Sequence, residues 1–156
     1  MIGQWMKRDV VFVSPHTTVL EAARLIVDRH VGTLPVVDEQ ASLVGIVRVE
    51  DILETFMPDF VRLMADFDFV RDFGVLESLM PRDAPGVAQR TMRDLMQEPV
   101  AVEQTSGLLR SLAVMTKHNI RDLPVVNQAG ALVGIASLVD IATAFLASWT
   151  AEGGAR

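Results

Sequence analysis

The chain repeats itself at a constant offset, and this repeat constrains the fold more than any other feature of the sequence. Residues 9–52 align with residues 98–141 without a gap, and the identical positions fall in three clusters. The matching segments are Leu34-Pro35-Val36-Val37 with Leu123-Pro124-Val125-Val126, Leu43-Val44-Gly45-Ile46 with Leu132-Val133-Gly134-Ile135, and Asp51-Ile52 with Asp140-Ile141. Because self-similarity at a fixed period indicates repeated supersecondary units, we expect two copies of one fold unit.

Each copy has the pattern β-α-β-β-α. Short β-branched runs at Val10–Val13 and Val100–Val102 predict an opening strand in each copy. A helix follows, and in copy one Thr18 and Glu21 have the spacing of a capping box at its start. Two apolar strands joined by a polar turn then lead into a second helix. A unit of about fifty residues buries too little apolar surface to be secure alone. We therefore predict an α+β fold with α/β-type layers, in which the repeats pack pseudo-symmetrically.

The segment between the copies predicts a helical insert. We expect repeat one over residues 1–56, the insert and a loop over 57–90, and repeat two over 91–156. Apolar residues in the insert recur at helical spacing, and residues 81–86 have the composition of a loop. Five of the seven phenylalanines lie in or beside this segment. Such a stripe packs within its own domain or against a second subunit, and we expect a homodimer to which it contributes.

Composition excludes several classes of function. Twenty acidic against fourteen basic residues leave a net charge of −6, with the bases scattered, so nucleic acid is not an expected partner. The apolar runs are far shorter than the roughly 20 residues of a membrane span. The absence of cysteine excludes disulfides and cysteine nucleophiles and suits the cytoplasm. The three histidines lack metal-binding spacing and no catalytic motif occurs, so we expect no metal, no catalytic cofactor and no enzyme.

The repeated strands resemble a known family. Two copies of a Leu-Pro-Val-Val strand, followed by a Leu-Val-Gly-Ile strand that runs into an Asp-Ile helix, are similar to the cystathionine-β-synthase (CBS) domain pair, or Bateman module. The leaders Gln4-Trp5-Met6 and Asp94-Leu95-Met96 agree with the lead-in of that family. The resemblance implies a regulatory module that binds an adenosine nucleotide (AMP, ADP or ATP) between its repeats, with S-adenosylmethionine or NAD as further possibilities. Only short ends flank the repeats, so we expect a stand-alone module that signals to a partner in trans.

The resemblance also implies where the ligand binds. Copy two carries the whole Gly-h-x-Ser/Thr-x-x-Asp pattern of the family, from Gly134 to Asp140. In such a site the Asp140 carboxylate accepts the ribose hydroxyls, and the Ser137 hydroxyl at the helix start reaches a phosphate. Arg121 could neutralise a phosphate, and apolar side chains would sandwich the adenine. The remaining candidates for this site are Gly134, Ile135, Val10, Val11 and Gly32.

Copy one departs from the pattern. It keeps the acid as Asp51 but has Arg48 where the hydroxyl is expected. We therefore expect one competent site and a second, weaker site at Asp51, Arg48 and Val100. Next to Arg121, Asp122 would repel a polyphosphate, which favours a monophosphate, a phosphate-free adenosyl ligand or an empty cleft.

Ser137 and Asp140 also permit a purely structural interpretation. Their spacing is that of a capping box, so they could serve only to satisfy the N–H groups at the start of the last helix. Two hypotheses therefore stay open. One is a regulatory module that binds adenine nucleotide, and the other is a ligand-free homodimeric scaffold whose Phe-rich insert is the interaction surface.

Overall fold

A computed structural model describes residues 1–56 and 85–153 of the chain. The first repeat consists of helix α1 (Val19–Arg29), strands β1 (Thr33–Val37) and β2 (Leu43–Arg48), and helix α2 (Val49–Phe56). Two short helices follow, α3 (Pro85–Ala88) and α4 (Met92–Leu95). The second repeat consists of β3 (Val102–Glu103), α5 (Leu108–His118), β4 (Asp122–Val126), β5 (Leu132–Ser137) and α6 (Leu138–Gly153). The α+β class and the two pseudo-symmetric repeats are confirmed.

The predicted capping box fixes the start of α1. The Thr18 hydroxyl accepts the Glu21 backbone N–H at 3.3 Å, and the Glu21 carboxylate accepts the Thr18 backbone N–H at 2.8 Å. This backbone hydrogen bond, helped by the Thr18 hydroxyl, lowers the pKa of Glu21 below its ordinary value. The helix ends at His30, whose left-handed φ of 52° stops further helical pairing. Asn119 ends α5 in the same way at φ 50°.

The two hairpins have the same register. Strands β1 and β2 pair antiparallel with Pro35 opposite Ile46, and β4 and β5 pair antiparallel with Pro124 opposite Ile135. Both hairpins have a register shift at the same place, between the two valines of the Leu-Pro-Val-Val segment. The repeated sequence therefore encodes its irregularity as well as its strands.

The opening strands are shorter than predicted. In the second repeat β3 contains only two residues, which pair parallel with β4. In the first repeat the strand expected over Val10–Val13 is wrong in extent, because only Val13 pairs with β1. Its N–H donates to the Pro35 carbonyl at 3.0 Å and its carbonyl accepts the Val37 N–H at 2.8 Å. The Val10 N–H instead donates to the Arg8 carbonyl at 3.1 Å, so the chain turns before a ladder can form.

Each leader, which in the structure extends over residues 2–7 or 92–97, pairs with the opposite repeat. The Ile2 N–H donates to the Ser106 carbonyl at 2.8 Å, and the equivalent Met92 N–H donates to the Thr17 carbonyl at 2.8 Å. The Lys7 and Ile135 backbones form a bridge, as do those of Gln97 and Ile46. The leader of repeat one is thus held by repeat two, and the leader of repeat two by repeat one.

The two buried clusters reflect this exchange. Ile2 and Met6 are buried in the cluster of the second repeat, beside Leu123 and Ile141. Met92 is fully buried in the cluster of the first repeat. Leu43 and Leu132 add a further link, because each donates its N–H across the pseudo-two-fold axis to the turn of the other hairpin at 3.2 Å. Neither repeat has a complete core of its own.

Most of the predicted insert lies outside the described residues. This includes the apolar helical stripe beginning at Phe60 and the first part of the loop predicted over residues 81–86. The last part of that loop prediction is wrong, since Pro85 and Gly86 begin helix α3. Proline is favoured in a first helical turn, where its missing N–H has no intrahelical partner to lose. In the described ranges no helix is long and apolar enough to cross a membrane.

Candidate functional site

Two clefts lie side by side at the boundary between the repeats. The first cleft has a volume of about 240 Å³ and the second about 500 Å³. Lys7, Val10, Val11, Asp122 and Ile135 line the first cleft, together with the segment from His30 to Thr33. Ile46, Arg48, Asp51, Gln97 and Arg121 line the second cleft, together with Gly32, Thr33 and Asp122. The exchanged leaders place residues of both repeats in each cleft.

The structure brings together four of the residues predicted for the stronger site. Val10, Val11, Gly32 and Ile135 line the first cleft. Arg121, predicted to lie with them, lines the second cleft instead. Its carbonyl accepts the Leu138 N–H at 2.8 Å, and the equivalent Gly32 carbonyl accepts the Val49 N–H at 2.9 Å. The residue before each proline-containing strand therefore anchors the helix that follows the hairpin.

Ser137 and Asp140 form a capping box at the start of α6. The Ser137 N–H and hydroxyl donate to Asp140 Oδ2 at 2.8 and 2.7 Å, and the Asp140 N–H donates to the Ser137 hydroxyl at 3.2 Å. They do not line the first cleft, but the repeat makes them equivalent to Arg48 and Asp51, which line the second. Within residues 1–56 and 85–153, no hydrogen bond reaches Asp140 Oδ1.

Asp51 is engaged through both carboxylate oxygens. Its Oδ2 accepts the Arg48 N–H at 2.7 Å, and its Oδ1 accepts the Gln97 side-chain amide at 2.6 Å. The Arg48 guanidinium lies 3.8 Å from Oδ2 and also donates to the Gln97 carbonyl oxygen at 3.3 Å. Val100, predicted to belong to this weaker site, packs against the core of the second repeat and does not line the cleft.

Gly134 has a packing role in the structure. A Cβ atom at this position would contact the Met6 side chain and lie 3.0 Å from the Lys7 carbonyl oxygen. In the other repeat a Cβ atom on Gly45 would lie 2.6 Å from the Met96 sulfur. The crossing of a leader methionine over the last strand therefore requires glycine in both repeats.

A hydrogen bond across the pseudo-two-fold axis separates the clefts. The Thr33 hydroxyl donates to Asp122 Oδ2 at 3.1 Å in a partly buried position. The two residues occupy equivalent positions of the repeat and line both clefts. Sequence reasoning missed this pairing, and it missed the leader residues Lys7 and Gln97 as cleft residues. The sequence signal for their different placement is that the leaders recur 90 residues apart, one residue more than the 89 of the other repeated segments.

Helix α6 exposes an apolar face that sequence reasoning also missed. Its buried side carries Ile141 and Ala144. The opposite side exposes five large apolar side chains: Leu138, Val139, Phe145, Leu146 and Trp149. The sequence signal was present, because residues 141–151 contain no charged residue. A helix without a polar face is usually covered.

Comparison with known proteins identifies the family. The CBS domain model matches residues 2–58 and 92–147, so the chain belongs to the CBS domain family and carries two of its domains. The predicted resemblance is thereby confirmed. Neither the family nor the relatives described below indicate an enzyme.

Three proteins illustrate the similarity. An uncharacterised 17.7 kDa protein of Acidianus ambivalens is 29% identical over 98% of this chain and 77% of its own. The chloroplastic CBS domain-containing protein CBSX1 of Arabidopsis thaliana is 29% identical over 93% of this chain. This chain spans 64% of CBSX1, which is less than two thirds. The crystal structure of CBSX2 in complex with AMP matches with a TM-score of 0.70 at 26% identity, covering 93% of this chain and 95% of that one.

Proposed function

We propose that this chain is a regulatory CBS pair that binds an adenosine nucleotide in the first cleft and signals to a partner protein in trans. The observation that carries the proposal is Asp140 Oδ1 at the start of α6, which accepts no hydrogen bond from residues 1–56 and 85–153. Its repeat equivalent Asp51 lines the second cleft together with Ile46, and the equivalent of Ile46, Ile135, lines the first cleft. The crystal structure of the similar CBSX2 contains AMP. The start of a helix also favours an anionic ligand, and the first turn of α2, the repeat equivalent of α6, lines the second cleft.

The first cleft is the better candidate although the second is larger. The volume of about 240 Å³ lies slightly below the usual range of about 300–1,000 Å³ for ligand pockets. In the second cleft, however, Arg48 and Gln97 occupy both oxygens of Asp51. A ribose at Asp51 would have to share an oxygen with one of these charge-assisted hydrogen bonds, whereas no described residue donates to Asp140 Oδ1. We therefore assign the ligand to the first cleft by its chemistry and not by its size.

Capping and ligand binding are compatible at Asp140. A carboxylate has two oxygens and about four acceptor sites. The capping box uses Oδ2, which fixes the side chain, and Oδ1 then accepts a ribose hydroxyl. The cap thus holds the carboxylate in one orientation before the ligand arrives, which lowers the entropic cost of binding.

Calorimetric titration with AMP tests the proposal with a matched pair of variants. Asp140→Asn removes the charged acceptor and should weaken AMP binding about tenfold or more, since a hydrogen bond to a charged group contributes about 1.5–3 kcal/mol. Asp51→Asn is the control, because it removes the equivalent carboxylate from the second cleft and should leave AMP affinity unchanged. Loss of binding in the control alone would move the site to the second cleft. Absence of AMP binding to the unmodified protein, with no thermal shift at millimolar AMP, would refute the proposal.

The exposed face of α6 supports a homodimer as part of this function. Trp149 is 70% exposed and continues a stripe with Phe145 and Leu138 at helical spacing. Trp149→Lys should convert a dimer into a species of 17.1 kDa in light scattering. Val27→Lys is the control, because Val27 is similarly exposed at 69% but lies on a different helix, α1. A mass of 17.1 kDa for the unmodified protein at tens of micromolar would contradict the dimer.

Cellular role and location complete the proposal. A module that binds adenine nucleotides reversibly would report the energy state of the cell to its partner. The absence of cysteine fits the reducing cytoplasm, where we place it. If ligand binding fails while the dimer persists, the ligand-free scaffold becomes the better description.

A further inference from the structure

Asp122 is the one carboxylate residue, in the part of the chain that the structure describes, that lines both clefts. Its Oδ2 accepts the Thr33 hydroxyl at 3.1 Å. Within the described ranges, no cation forms a salt bridge with Asp122. Since the position is partly buried, salt screens its charge less than that of a surface carboxylate. Any ligand in either cleft therefore encounters this negative charge.

The charges of the second cleft add to the same effect. Four acidic residues, Glu50, Asp51, Glu54 and Asp122, line it together with two arginines. Arg48 already pairs with Asp51. Arg121 is then the remaining cation against three carboxylates, so the lining keeps a net negative charge.

Among the described residues, the first cleft is lined by one lysine, Lys7, and by two carboxylates, Asp9 and Asp122. Asp9 pairs with Arg29 at 3.5 Å, but its side chain is 94% exposed and solvent screens this pair. Lys7 and Asp122 are therefore the charges that act most directly on a bound ligand, and they balance. A first phosphate can pair with Lys7, whereas a second and a third phosphate would add negative charge without a further lysine or arginine among the described lining residues.

We propose that the clefts select adenosyl ligands with at most one phosphate, and that Asp122 is the residue that determines this selection. The inference rests on the proposed function, because it names the ligand class of the same site. Repulsion of the wrong ligand is a common source of specificity. AMP and adenosine satisfy the condition, while ADP and ATP do not.

Calorimetric titration of four ligands tests the selection. Adenosine, AMP, ADP and ATP are titrated without divalent cations, at physiological salt, into the unmodified protein, Asp122→Asn and Asp9→Asn. We expect the unmodified protein to bind AMP about tenfold tighter than ADP or ATP, and Asp122→Asn to remove most of that difference. The asparagine amide oxygen can still accept the Thr33 hydroxyl, and circular dichroism checks that the variant folds. Asp9→Asn removes an exposed charge of the same cleft and should keep the ranking.

The outcomes separate this inference from the proposed function. If AMP binds but ADP or ATP binds equally well, the selection is refuted and the proposed function stands. If the ranking holds but Asp122→Asn leaves it unchanged, Asp122 is not the determinant. If none of the four ligands binds, both the proposed function and the proposed selection are wrong. Weaker discrimination at high salt would support an electrostatic cause.

Discussion

Replacing Gly134 with alanine would push the first leader away from strand β5. The new Cβ atom would contact the Met6 sulfur and lie 2.8 Å from Met6 Cγ and 3.0 Å from the Lys7 carbonyl oxygen. The methionine can move, but Lys7 and Ile135 exchange backbone hydrogen bonds of 2.8 and 2.9 Å that hold the carbonyl in place. Overpacking of this kind costs about 1–3 kcal/mol, and the fixed backbone oxygen puts the expected loss at about 2–3 kcal/mol.

Urea denaturation without ligand measures this loss directly. Gly32→Ala is the control, because a Cβ atom there would meet nothing within 4 Å, and its effect should stay within about 0.5 kcal/mol. A double-mutant cycle with Met6→Ala isolates the clash, since the double variant should lose less stability than the sum of the single variants. Equal stability of the Gly134 and Gly32 variants would refute the reasoning and return Gly134 to a role in ligand binding.

Two further predictions follow from the packing and the caps. Met92→Ala should lower the free energy of unfolding by about 2–5 kcal/mol, because this leader residue is fully buried in the core of the first repeat. A loss below about 1 kcal/mol in urea denaturation would contradict the packing of each leader in the opposite repeat. The Thr18 backbone N–H is the main cause of the lowered pKa of Glu21. A carboxylate with a lowered pKa stabilises the folded state above its unfolded-state pKa of about 4.3, and this stability is lost as the pH falls through the folded-state pKa. Glu21→Gln should therefore flatten the fall of the urea midpoint between about pH 5 and pH 3, and an unchanged profile would speak against this cap.

The elements with local signals could be predicted from the sequence. The proline-containing strands were predicted because apolar runs bounded by turns are typical of buried strands, and the structure forms them at Thr33–Val37 and Asp122–Val126. The capping box at Thr18 could also be predicted, because its hydrogen bonds join residues only three positions apart in the sequence. The Val10–Val13 strand was overestimated because β propensity reports a suitable residue type and not an available partner.

The site was predictable only in part, because it depends on contacts between distant segments. Val11 and Ile135 were assigned to one cleft, and they lie there because the leader of repeat one crosses to repeat two. Arg121 was assigned to the same cleft, but a position along the chain does not determine which side of a shared boundary a side chain faces. The Thr33–Asp122 hydrogen bond joins residues 89 positions apart, and no local pattern encodes it.

The exchanged leaders make each half of the chain a structural component of the other. A polypeptide cut between the repeats would yield an amino-terminal fragment that retains Ile2 and Met6 without the core they fill. The carboxy-terminal fragment would likewise retain Met92 without the first-repeat core in which it is buried. Two such fragments, expressed separately, should associate in equal numbers, because each carries the apolar residues that complete its counterpart. The covalent link between the repeats thus fixes the ratio of two mutually dependent halves.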